Sequence, residues 1–106
     1  MRVIWLDTAA AQLECVYNFL AQDSPKSAAD MYNTIIEGTD KLAAFPEMAP
    51  VEASLADAPY SYRALVVKRS YKVIYRFDQK KEEIIVVALW NCRKDPEILK
   101  KKTKRK

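Results

Sequence analysis

The chain has 106 residues, half of them hydrophobic and 30% charged, with a formal net charge of +4. That length makes one domain able to bury roughly two thirds of its unfolded surface without staples, and the composition excludes a disordered or fibrous chain. Histidine is absent and Gly38 is the single glycine, which removes imidazole bases, histidine metal sites and glycine-rich phosphate loops; no cofactor and no metal is expected.

Arg2 to Leu6 predicts a short strand, because Val3, Ile4 and Trp5 are strand formers, and Asp7-Thr8 supplies a helix cap after it. From Thr8 to about Ala21, Leu13, Val16, Tyr17 and Leu20 recur at helical spacing and define one apolar face. Ser24-Pro25 then gives an N-cap with proline in the first turn, and Ala28, Met31, Ile35, Thr39 and Leu42 continue the period up to Phe45-Pro46. So short a break between helices requires an antiparallel hairpin. Pro46 to Pro59, with three prolines and no period, reads as a connecting loop. Tyr62 to Lys68, Tyr71 to Phe77 and Glu83 to Trp90 are β-branched and aromatic runs, an antiparallel meander. Glu82-Glu83 reads as a solvated turn, and Asp95-Pro96 as the cap of a last helical turn through Ile98 and Leu99. The expected fold is α/β (α+β), an N-terminal strand and two-helix hairpin packed on an antiparallel sheet. Residues 1–99 form the domain and 100–106 a basic C-terminal tail.

The longest apolar run, Ile84 to Trp90, is seven residues, far short of a membrane span, and Val3 to Leu6 is too brief for a signal peptide. A cytoplasmic protein with no membrane partner is expected. In that reducing compartment Cys15 and Cys92 are expected as core thiols and not as a disulfide.

Charge is distributed unevenly. Residues 1–59 carry three Lys/Arg against nine Asp/Glu, or −6, whereas residues 60–106 carry fifteen against five, or +10. Six of those fifteen lie in Lys100 to Lys106. The asymmetry points to an acidic or polyanionic partner for the C-terminal half, or to a solvated tail that maintains solubility.

If Arg69-Ser70 is a two-residue hairpin turn, Arg63 stands opposite Arg76, and Leu65, Val67, Lys72 and Ile74 share their face. A four-residue Gln79 to Glu82 loop adds Ile85, Val87 and Leu89, with Asn91 and Arg93 if the strand extends. Arg63, Lys72, Arg76 and Arg93 then converge, while Ala64, Val66, Tyr71, Val73, Tyr75 and Phe77 form the face that the helices cover. Opposed like charges destabilise a sheet. Either an anion seats between the guanidinium groups, or the side chains splay and pair with Glu47, Glu52 or Asp57 of the loop. Tyr60, Tyr62, Tyr71 and Tyr75 lie among these cations, as base-stacking residues would, but Tyr71 and Tyr75 are expected in the core, as are Trp5 and Trp90.

The order strand, helix hairpin and Phe45-Pro46 loop, followed by Tyr62-Arg63-Ala64-Leu65-Val66-Val67, Tyr71-Lys72-Val73-Ile74-Tyr75-Arg76 and Trp90-Asn91-Cys92-Arg93-Lys94-Asp95-Pro96, resembles the RelE/ParE toxin superfamily. The resemblance spans nearly the whole chain. It implies the toxin of a type II toxin–antitoxin system with a cognate antitoxin as partner. The target it implies is DNA gyrase for ParE-like members, or the ribosome and its mRNA for RelE-like, metal-independent endonucleases. By position, Arg63 and Lys72 look like the basic strand residues of RelE-like toxins, and Arg93 like the arginine that supports the scissile phosphate. Cleaving members place a tyrosine or histidine acid/base near the end of the chain, and none follows Arg93 here. Glu47, Glu52 and Asp95 are substitutes that no spacing singles out, so catalytic residues stay unassigned and the resemblance leans toward ParE-like inhibition. A basic nucleic-acid-binding module without catalysis is the third reading.

Overall fold

The computed structural model describes residues 1–92. Arg93, the Asp95-Pro96 cap and the basic tail lie outside the described residues. The elements run β1 (Arg2–Trp5), α1 (Asp7–Asp23), α2 (Pro25–Ala44), β2 (Arg63–Val67), β3 (Tyr71–Asp78) and β4 (Glu83–Asn91), with one 3-10 turn, Ala53–Leu55, before β2. Strands β2, β3 and β4 make the expected antiparallel meander; β1 joins β4 in parallel, so the four-stranded sheet is mixed, in the order β1-β4-β3-β2.

Spacing decides what each helix buries. In α2, Ala28, Met31, Ile35, Thr39 and Leu42 are the buried residues. In α1, Ala9 and Leu13 are buried and Val16 and Leu20 pack beside them, while Tyr17 stays exposed. Ser24 alone separates the helices: its Oγ accepts the Ser27 N–H at 3.2 Å, and Pro25 follows in the first turn. The start of α1 differs from expectation, because Leu6 holds the N-cap position with no side-chain cap and Asp7 is already helical. An acid there still opposes the positive end of the helix dipole.

Beyond the end of β1, the Leu89 N–H of β4 is taken by Gln12 Oε1 of α1 at 2.8 Å. At Gly38 a β-carbon would lie 2.8 Å from Leu65 Cδ2, so the missing side chain lets α2 lie close on β2.

Two cores result. Leu13, Ile35, Leu42, Val73, Tyr75 and Val86 belong to the one between helices and sheet. Leu55, Tyr62, Ala64, Ile74, Val87 and Trp90 form the other, on the opposite face. The proline-rich segment from 46 to 59 builds part of each, with Ala49 in the first and Leu55 in the second. It wraps the β2 edge, where Glu52 N donates to Tyr62 O at 2.9 Å and Ala64 N to Pro50 O at 3.0 Å. An edge strand covered in this way is withdrawn from pairing with other chains.

Two one-residue features correct the expected faces. Lys68, Arg69 and Ser70 form a three-residue loop, with φ of 49° and 61° at the first two, so Arg63 pairs with Tyr75 and not Arg76. In β4 an extra residue, Val87, lies between the Ile74/Ala88 and Tyr75/Val86 pairs, a bulge that moves Leu89 opposite Val73. Because side chains alternate with period two, each slip exchanges faces. Arg63, Leu65, Val67 and Leu89 therefore belong with Tyr71, Val73, Tyr75 and Phe77 under the helices, whereas Ala64 and Val66 turn to the second face with Lys72, Ile74, Arg76, Ile85 and Val87. The Gln79 to Glu82 loop has the expected four residues.

Tyr71, Tyr75 and Trp90 are buried as expected. Both cysteines are exposed and free, contrary to the core assignment. Cys15 sits two positions from Leu13, away from the buried stripe of α1. Glu83 is a strand residue, nearly buried and ion-paired with Arg2, and only Glu82 belongs to the turn.

Candidate anion and partner site

Each described cation of the expected cluster has its own surroundings. Lys72 Nζ donates to Glu52 Oε1 at 2.9 Å. Glu52 also accepts from Ser54 Oγ at 2.7 Å and from Ser54 N at 3.3 Å. Burial pushes its carboxyl up, but the hydrogen bonds from Lys72 and Ser54 outweigh that and hold it below the usual value. This carboxylate accepts and does not supply a proton at neutral pH.

Arg63 lies across the edge. Its Nη1 donates to Ala49 O at 2.7 Å and, more weakly, toward Glu47 O at 3.4 Å. Beside it the Tyr75 hydroxyl donates to Pro46 O at 2.6 Å. Burial pushes the Tyr75 phenol above its usual range. The wrapping segment is thus held by side chains from both faces. Pairing with the loop, one of the two alternatives left open by the sequence, describes Lys72 through the Glu52 carboxylate and Arg63 through backbone carbonyls.

Arg76 is arranged differently. Its guanidinium carbon lies 4.1 Å from the Tyr60 ring centroid, a cation–π contact. Tyr60 meets Tyr62 edge to face, with centroids 6.3 Å apart. Tyr62 is 1% exposed, and burial pushes its phenol up against the opposing pull of the Arg76 charge. Among the described residues neither Arg76 Nε nor the Tyr62 hydroxyl, both buried atoms, has a hydrogen-bond partner. A small cavity of about 150 Å³ opens here, lined by Tyr60, Ser61, Arg63, Arg76 and Phe77. Arg63 and Arg76 both reach it, although they are not paired across the strands.

The sequence placed Tyr60 and Tyr62 among the cations but not in this relation to Arg76. Their signal is the i, i+2 aromatic alternation leading into Arg63. A larger groove of about 660 Å³ follows the helix hairpin, with Trp5, Leu13, Tyr17, Tyr32 and Ile36 in its walls. No group of three or more Cys, Asp and Glu side chains is placed to hold a metal among the described residues, and no described helix is long and apolar enough to cross a membrane.

Two helices on one face of a small mixed sheet, with a basic and aromatic edge, define the toxin-like class that the resemblance implies. The model of the family described as "ParE toxin of type II toxin-antitoxin system, parDE" matches residues 3–96, and the chain belongs to that family. Membership implies a cognate antitoxin as partner. A solved structure titled "Chromosomal ParDE TA system from P. aeruginosa" is similar in fold, with a TM-score of 0.67 and 20% sequence identity, over 86% of this chain and 95% of that one. Among curated proteins none matches the chain.

Proposed function

We propose that this ParE-family toxin inhibits growth in the cytoplasm by binding its target, DNA gyrase, and not by cleaving RNA. The observation that carries the reading is the use of Lys72 and Arg63 inside the fold. Lys72 is ion-paired with the buried Glu52, and Arg63 donates to the Ala49 carbonyl. A ribosome-dependent nuclease needs such cations free for a phosphorane, together with a side chain able to give and take a proton. Glu52 is held ionised by its donors, and the Tyr75 hydroxyl is buried on Pro46 O.

Arg76 and the outer edge of Arg63, with Tyr60, then serve as a contact surface for target or antitoxin, and Arg93 is added as a target-binding residue on the resemblance alone. Residues 1–99 act as one domain, with 100–106 as a basic tail toward an acidic partner.

Induced expression of the chain should slow bacterial growth, and co-expression of the adjacent antitoxin should restore it. Purified chain should lower gyrase supercoiling, while primer extension on cellular messages shows no codon-positioned cuts. Cuts with supercoiling intact would overturn the reading in favour of the nuclease.

A further inference from the structure

Arg76, whose buried Nε has no hydrogen-bond partner among the described residues, lines a cavity that a second arginine, Arg63, also lines. Burying a guanidinium N–H unpaired costs free energy, and such groups are uncommon in native folds. The guanidinium is also fixed in place by stacking on Tyr60, so its remaining donors present a set direction. A planar fork of N–H groups held in this way matches the two oxygens of a carboxylate.

We propose that the cavity lined by Tyr60, Ser61, Arg63, Arg76 and Phe77 seats one carboxylate, supplied by an acidic side chain of a partner polypeptide. The inference rests on the family reading only in that a toxin of this class has a protein partner.

A peptide carboxylate fits better than a nucleic-acid backbone for two reasons. Among the described residues the neighbouring cation on this face, Lys72, is paired with Glu52 and so is not free for the next phosphate of a nucleic-acid backbone. The cavity, at about 150 Å³, also admits a single small group.

The test follows the Arg76 Nε–H resonance of the full-length chain by ¹H–¹⁵N NMR at constant ionic strength. Probes are a capped peptide, acetyl-Ala-Leu-Glu-Leu-Ala-amide, its Gln counterpart, and a ten-nucleotide uridylate. The resonance should move saturably with the Glu peptide, and the Gln peptide should bind roughly 10-fold more weakly. In Arg76→Gln, which lacks that resonance, the backbone amides of Ser61 and Phe77 should no longer shift with the Glu peptide. Equal response to Glu and Gln peptides, response to the oligonucleotide alone, or no response to any probe overturns the proposal. None of these readouts depends on growth or supercoiling, so failure here is distinguishable from failure of the gyrase reading.

Discussion

Replacing Lys72 with methionine isolates what the wrapping segment contributes through its buried acid. The substitution keeps an unbranched apolar stem and deletes the ammonium. Glu52, with a side chain only 9% exposed, would retain just the two neutral donors of Ser54. A hydrogen bond to a charged group contributes about 1.5–3 kcal/mol, and an exposed ion pair about 0–1 kcal/mol. Lys72 is 34% exposed, so screening moves the expected loss below the top of the first range, to about 1–2.5 kcal/mol at neutral pH.

The pH dependence has a definite sign. In the native protein the Glu52 carboxyl is held below its ordinary value, so its contribution is complete above the unfolded-state value and is lost as pH falls through the folded one. In Lys72→Met burial is no longer offset by the ammonium, the carboxyl moves upward, and protonation relieves the cost. The stability gap between the two proteins should therefore shrink as pH is lowered from about 7.5 toward about 4. Urea unfolding across that range measures it, and the Glu52→Gln, Lys72→Met double variant should recover part of the single-variant loss. A loss below about 0.5 kcal/mol that does not vary with pH would refute the reasoning and place the pair with ordinary surface contacts.

Two further outcomes follow from the backbone. Gly38→Ala gains about 1 kcal/mol in helix propensity and displaces only the end of Leu65, so thermal unfolding should place it within about 1 kcal/mol of the parent, whereas Gly38→Val should lose more than about 2 kcal/mol through overpacking. Arg69, at a φ of 61° in the β2–β3 loop, should be replaceable by glycine with a gain of up to about 1 kcal/mol in urea unfolding; a loss would show that the arginine side chain makes a contact that outweighs its backbone strain.

The helix hairpin was legible because its signals are local. Ser24 and Pro25 mark one boundary, and the Ala28 to Leu42 spacing fixes which face is buried. The pairing of the sheet was less legible, for two separate reasons. The β2–β3 loop reaches positive φ at Lys68 and Arg69 without the glycine or asparagine that advertises such a turn, so its length cannot be told from its residues. In Ile84 to Trp90 every residue is apolar, so no alternation marks the point where Val87 is inserted. Arg63 was correctly placed on β2 and incorrectly faced, since a single extra loop residue turns a strand over. Glu52 was legible as one of several acids able to meet a cation; only the fold of the wrapping segment distinguishes it from Glu47, which offers Arg63 its backbone carbonyl instead.

The contrast of −6 and +10 between the halves of the chain suggests a sheet bare of countercharge, but the fold spends part of that contrast internally. Arg2 and Glu83 pair across the halves in one direction, and Glu52 and Lys72 in the other. The Lys72 pair bears on the charge of the site, since it crosses from the wrapping segment onto the face that charge counting would assign to a polyanion. What remains near the β2 edge is a guanidinium stacked on an aromatic ring beside a second arginine, a shape suited to one oriented carboxylate. Recognition by a single oriented group carries a weak dependence on salt compared with a track of phosphate contacts, because few counterions are released. An antitoxin that engages this corner through one acid and covers apolar surface around it can therefore stay bound at ionic strengths that dissociate a purely electrostatic complex, as a partner that must keep a toxin silent requires.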